Sequence, residues 1–99
     1  MNININAVKF KTDKKLEDFI QEKIGKLGSI HDGIIGSEVT LRLDSNEKTQ
    51  NKIAEIRLII RGNDLFAKKE TKSFEESIDS AIDALKKQLL KHKEKIKGI

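Results

Sequence analysis

The sequence predicts an α+β fold: a two-layer sandwich of order β-α-β-β-β-α, with a four-stranded mixed sheet and two helices packed on one face. Three observations predict it. Four segments alternate apolar and polar residues with the period of a half-buried strand. Two longer segments repeat apolar residues at the three-to-four spacing of one helical face. Only one face of the strands carries a continuous apolar row, so both helices must bury their stripes against it.

Residues 2–8 set Asn2, Asn4 and Asn6 against Ile3, Ile5 and Ala7, which predicts the first strand. Thr12 stands where an N-cap is needed, and Leu16, Phe19, Ile20, Ile24 and Leu27 form one stripe of a helix ending near Gly28. Residues 28–36 read as a connection, with Ile30, Ile34 and Ile35 tucked inward between Gly28, Gly33 and Gly36. Val39, Leu41 and Leu43 alternate with Thr40 and Arg42 in a second strand that ends at Asp44-Ser45-Asn46, followed by a polar loop to about Asn51. The first strand and helix form a crossover that returns right-handed to a parallel neighbour, most simply this second strand.

Ala54, Ile56, Leu58 and Ile60 alternate with Glu55, Arg57, Ile59 and Arg61 in a third strand, and Gly62-Asn63 suits a two-residue hairpin turn into a fourth. That turn sets Ile60 opposite Leu65, Ile59 opposite Phe66 and Leu58 opposite Ala67. The core face is then Leu58, Ile60, Leu65 and Ala67, and the other face shows Arg57, Ile59, Arg61, Phe66 and Lys68. Ser73-Phe74-Glu75-Glu76 has the capping-box pattern and starts a second helix over 74–97. Its stripe is Phe74, Ile78, Ala81, Ile82, Leu85 and Leu89, continuing through His92 to Ile96.

A chain of 99 residues, 36% hydrophobic and 36% charged, has room for one domain, 1–99, whose 15 Ile and 9 Leu supply a core. The absence of Cys excludes a disulfide framework, a thiolate zinc site and a Cys nucleophile. No 18-residue apolar run or basic-then-apolar leader occurs, so no membrane partner is expected and a cytoplasmic location is. His31 and His92 lack metal-ligand spacing, so no metal or cofactor is expected. No nucleophile elbow, phosphate-cradling loop or paired carboxylate set is present. Gly25, Gly28, Gly33 and Gly36 fit no phosphate-loop spacing, and Asp79 and Asp83 are acids in early helical turns. Neither catalysis nor a small-molecule substrate is expected.

The net charge of +4 is unevenly spread: residues 73–83 carry Glu75, Glu76, Asp79 and Asp83 with no base, and 84–99 carry six Lys against Glu94. Such a split complements a helix dipole, and it also makes a basic tip suited to an anionic partner. A helix over 74–97 is about 36 Å long and an eight-residue strand about 26 Å, so the tip should overhang the sheet. Lys86, Lys93 and Lys97 fall on one flank of its stripe, Lys91 and Lys95 on the other, with His92 in line. On the first helix Lys15, Lys23 and Lys26 share a flank. Side by side, the two helices would form a positive ridge able to follow a phosphate backbone; the competing reading is a solvated surface. Of the four aromatics, Phe10, Phe19 and Phe74 belong to the core and only Phe66 is left outside, which favours backbone and shape recognition over base stacking.

Within the second helix, Ile78-Asp79, Leu85, Gln88-Leu89 and Lys91-His92-Lys93-Glu94-Lys95 resemble the closing helix of the hibernation-promoting factor and ribosome-associated inhibitor family. Lys26-Leu27, Asp32, Ile34 and the element order agree with it over nearly the whole chain. Phe74-Glu75-Glu76-Ser77 departs from the Met-Tyr-Ala-Ala that relatives often carry there. The resemblance implies the same β-α-β-β-β-α sandwich, in a short form without the long form's extra domain. It also implies a factor that silences ribosomes in slow growth or stress by occupying the messenger channel of the small subunit near the tRNA sites. The rRNA-contacting positions it implies are Lys26, Lys87, Lys91, His92, Lys93 and Lys95; helix geometry adds Lys23 and Lys86. The expected partners are the small ribosomal subunit and its rRNA, and the free protein is expected to be a monomer. Two other readings stand beside this one: a module that recognises structured RNA by shape away from the ribosome, and an interaction protein pairing through Ile59 and Phe66.

Overall fold

In a computed structural model the chain forms β1 (Asn2–Ala7), α1 (Lys14–Gly28), β2 (Ile34–Leu43), β3 (Lys52–Ile60), β4 (Asn63–Thr71) and α2 (Phe74–Lys97). The structure describes residues 2–31, 33–44 and 51–97, with side chains described as far as Lys91. Asp32, Ser45 and Asn46, and most of the polar loop expected before Asn51, lie outside the described residues, as do the side chains of His92, Lys93, Lys95, Ile96 and Lys97. The sheet order is β1-β2-β3-β4, with β1 parallel to β2 and the other pairs antiparallel, so the sheet is mixed as the crossover required. Both helical stripes join one core: Leu16, Ile20, Ile24 and Leu27 of α1 and Ile78, Ala81, Ile82, Leu85 and Leu89 of α2 pack with Val39, Leu41, Leu58, Ile60 and Leu65.

Several details differ from the sequence expectations. The N-cap of α1 is Asp13, whose carboxylate accepts from the Leu16 N–H at 2.8 Å. Thr12 instead donates its hydroxyl to Glu17 at 2.6 Å. A carboxylate at the N-terminus also meets the positive end of the helix dipole, which favours it over the neighbouring hydroxyl. Only half of the capping box forms on α2: Ser73 Oγ accepts from the Glu76 N–H at 3.2 Å, while the Glu76 carboxylate turns to Lys72 at 3.8 Å. β2 begins at Ile34, five residues before the expected Val39, and Ile35 is 59% exposed instead of tucked inward. Gly36 allows this, because a Cβ there would stand 2.9 Å from the Asn2 carbonyl oxygen, so β1 could not close on a side chain. Leu43, at the far end of β2, is exposed.

The β3–β4 turn is Arg61-Gly62, with Gly62 at φ +82°, where side chains are rarely accommodated. Leu58 therefore faces Leu65, Arg57 faces Phe66 and Ile56 faces Ala67. The shift is two residues, so side-chain parity survives and Leu58, Ile60, Leu65 and Ala67 are all buried as expected. After β1, Lys9 adopts φ 64°, a left-handed turn that brings Phe10 to stack on Phe74 at 5.1 Å between ring centres. Ser77, fully buried, donates to the Lys52 carbonyl at 2.6 Å and lies 2.8 Å from the Thr71 hydroxyl, tying the start of α2 to β3 and β4.

Ser37 points into the core at 1% exposure and its hydroxyl has no hydrogen-bond partner among the described residues. A buried hydroxyl without a partner carries its desolvation cost uncompensated. Ser37→Ala should therefore keep or raise stability, by about 1 kcal/mol in urea denaturation, whereas a net loss above that size would show that the hydroxyl is bonded.

Candidate nucleic-acid interface

The directions of the elements decide where the lysines meet. β2 and β4 both run antiparallel to β3, and α1 returns from β1 to its parallel neighbour, so α1 runs against β1, β2 and β4. α2 also runs back along β4, since its residue Ser77 sits beside Thr71 and its residue Gln88 donates to the Phe66 carbonyl at 3.0 Å. The two helices are therefore parallel. Lys23 of α1 reaches Asp79 of α2 at 3.4 Å, which puts these residues at one level. α1 ends five residues later at Gly28, so the stretch 85–97 of α2, about 20 Å, runs on past it.

The overhang is past α1 and not past the sheet. From Phe66 to the turn at Gly62 is about 13 Å of strand, and from Gln88 to Lys97 is about 14 Å of helix, so the tip of α2 ends near the level of the β3–β4 turn.

Of the expected site residues, Lys26, Lys87 and Lys91 are exposed and Lys86 is half-buried. Lys87 and Lys91 are one helical turn apart, and Lys86 shares the α1-facing flank with Asp79, two turns earlier. Among the described residues none of Lys86, Lys87 and Lys91 forms an ion pair, and the one described acid within a turn of them is Asp83, three and four residues before Lys86 and Lys87. His92, Lys93 and Lys95 lie on the same helix, in its last turns. The α1 lysines differ. Lys23 is committed twice, to Asp79 and to the face of Phe19 at 5.5 Å, and Lys26 pairs with Glu22 at 3.8 Å. The positive surface is thus concentrated on the second half of α2, and the continuous two-helix ridge is interrupted where α1 meets acids.

One residue joins this surface without having been singled out as part of it. Leu90, 53% exposed, lies on the outer face of α2 between the Lys86 and Lys87 rows. Its signal is an apolar residue off the stripe. Away from that row, Arg61 of the β3–β4 turn lines an open hollow of about 340 Å³ with Gly33, Ile34 and Ile35 at the start of β2. His31 is half-buried, and its Nδ1 accepts from the Gly33 N–H at 2.8 Å, which braces the connection. On the opposite sheet face, Phe66 is 47% exposed among Glu38, Thr40, Glu55 and Arg57, a surface of mixed charge in which Arg42 pairs with Glu55 at 2.8 Å.

A two-layer β-α-β-β-β-α sandwich with a lysine-rich closing helix defines a class of small basic proteins. Within that class, the chain belongs to the family described as sigma 54 modulation protein / S30EA ribosomal protein, which it matches over residues 3–97. It is 34% identical over 95 residues to the ribosome hibernation promoting factor of Pseudomonas putida, covering 96% of this chain and 89% of that one. It is 33% identical to the factor of that name from Klebsiella oxytoca, covering 98% of each chain. Among solved structures, a ribosomal subunit interface protein from Coxiella burnetii superposes with a TM-score of 0.83 at 18% identity, over 94% of this chain and 98% of that one. The N-terminal domain of Protein Y from Thermus thermophilus gives 0.78 at 24%, over 90% and 96%. These two likenesses establish the fold. No helix of the described residues is long and apolar enough to cross a membrane.

The Lys23–Asp79 pair generates a prediction. Asp79→Ala should release the Lys23 charge, raise the salt concentration that elutes the protein from heparin, and steepen the dependence of log affinity on log salt by about 0.7–0.9 for RNA. Lys23→Ala should change that slope by less than Lys87→Ala does, because its charge is already neutralised.

Proposed function

We propose that the protein is a ribosome hibernation factor: it binds the small ribosomal subunit through rRNA, occludes the messenger and tRNA sites, and lowers translation in slow growth or stress. The observation that carries this reading is the row of Lys86, Lys87 and Lys91, none of them in an ion pair among the described residues, on the part of α2 that runs beyond α1. Relatives named ribosome hibernation promoting factor, alike over nearly their whole length, support it. A rigid helix carrying lysines one turn apart neutralises successive phosphates without ordering a loop, and a compact body behind it blocks a channel by volume alone. Lys26, His92, Lys93 and Lys95 extend the same contact at its two ends, with Lys23 contributing only when Asp79 releases it. The protein acts here by occupancy, as a single domain in the cytoplasm, with no reaction of its own.

The test is co-sedimentation with ribosomal subunits at two salt concentrations, together with translation in a cell-free extract. Saturating protein should pellet with the small subunit and depress yield; an unchanged yield would remove the blocking claim. Equal binding to unrelated duplex RNA would favour the free structured-RNA module. Each lysine that neutralises a phosphate of structured RNA contributes about 0.7–0.9 to the salt slope, so the triple change Lys87→Ala, Lys91→Ala, Lys95→Ala should remove about two units. Its thermal stability should stay near that of the parent, because the two described positions are exposed and Ala is a strong helix former. Leu85→Ala should do the reverse, costing about 2–5 kcal/mol of stability through a core cavity and affecting binding only as folding fails.

A further inference from the structure

Among the described residues β1 is an edge strand paired to β2 alone, and it is the least guarded part of the sheet. Edges are ordinarily protected by lysines, prolines, bulges or inward charges. Residues 2–8, Asn-Ile-Asn-Ile-Asn-Ala-Val, contain none of these. The five residues Asn2-Ile3-Asn4-Ile5-Asn6 read the same in both directions. Run antiparallel against a copy of itself, this strand opposes Asn with Asn on one face and Ile with Ile on the other.

The hydrogen-bond directions suit such a pairing. Val8 N–H donates to the Leu41 carbonyl at 2.9 Å, so the backbone groups of the even-numbered residues of β1 face β2. Those of Ile3 and Ile5 consequently face outward. About a two-fold axis at Asn4, Ile3 of one copy and Ile5 of the other exchange backbone hydrogen bonds, and the two Asn4 residues face each other as a non-hydrogen-bonded pair. Asn2, Asn4 and Asn6 are exposed on the open face, where their amides can bond across the axis; Ile3 and Ile5 are half-buried at the rim of the core and would be covered more fully.

We propose that β1 pairs antiparallel with β1 of a second copy about Asn4, joining two four-stranded sheets into one of eight strands with all helices on the same side. The free protein is then a monomer–dimer equilibrium in place of the monomer expected from the sequence. This proposal is independent of the ribosome reading. Because the chain has no cysteine, a single Asn4→Cys change in the full chain provides a direct probe. A non-hydrogen-bonded antiparallel pair holds its Cα atoms about 4.5 Å apart, within disulfide reach. On mild oxidation this variant should become a covalent dimer with an unchanged circular dichroism spectrum, while Lys68→Cys, exposed on the opposite edge strand, stays monomeric. In sedimentation equilibrium the parent should approach twice the monomer mass as concentration rises, and Asn4→Lys should weaken that association at least tenfold. A parent that remains monomeric up to about 1 mM, equal cross-linking of the two cysteine variants, or association unaffected by Asn4→Lys would each overturn the proposal.

Discussion

The burial of Leu85 and Leu89 against the sheet is the interaction on which the rest of the molecule depends. Both are fully buried, and they fix the rotation of α2 about its axis over the stretch that continues beyond α1. Once that rotation is set, the helical period leaves Lys86, Lys87 and Lys91 no choice of direction. An anion-binding surface built this way needs no positioning network: the apolar stripe aims the charges, and loss of the stripe would scatter them. The anchoring at the start of the helix, where Ser77 holds the Lys52 carbonyl and Phe74 stacks on Phe10, limits the remaining freedom, a shift along the axis.

The distribution of acids along the two helices then divides the surface by function. Glu75, Glu76, Asp79 and Asp83 occupy the part of α2 that lies alongside α1, and two of them hold Lys72 and Lys23. Exposed pairs of this kind contribute little to stability, about 0.2–1 kcal/mol each. Their larger effect is to cancel field where the helices meet and leave a net positive field at the far end of α2, where six Lys stand against Glu94, so that attraction of a polyanion is concentrated over about 20 Å.

Much of this was legible in the sequence because it rests on periodicity. Both stripes, the crossover and the core face of β3 and β4 follow from spacings of two and of three to four residues, which survive small errors of boundary. The hairpin shows how: the Gly62-Asn63 assignment put the pairing two residues out, yet every side chain stayed on its face. What was not legible depends on contacts between distant parts. Thr12 and Asp13 are adjacent cap residues, and only the closing of α1 selects the second. Gly36 reads as part of a connection until Asn2 of another strand arrives beside it. The pairing of Lys23 with Asp79 requires the relative level of two helices, which no local pattern contains. For the same reason the α1 lysines looked as available as those of α2.

The two borders of the sheet are built differently, and this bears on how large an assembly the chain can make. Along β4 the outward carbonyl of Phe66 is already occupied by Gln88, and Asp64, Lys68 and Glu70 set alternating charge beside it. A strand docking there would have to displace a side-chain amide and strip charged groups of water. β1 carries no such guard. A sheet with one closed border and one open border can add a single neighbour by a two-fold operation and then presents closed borders at both ends, so growth terminates at the pair and does not continue into a fibre.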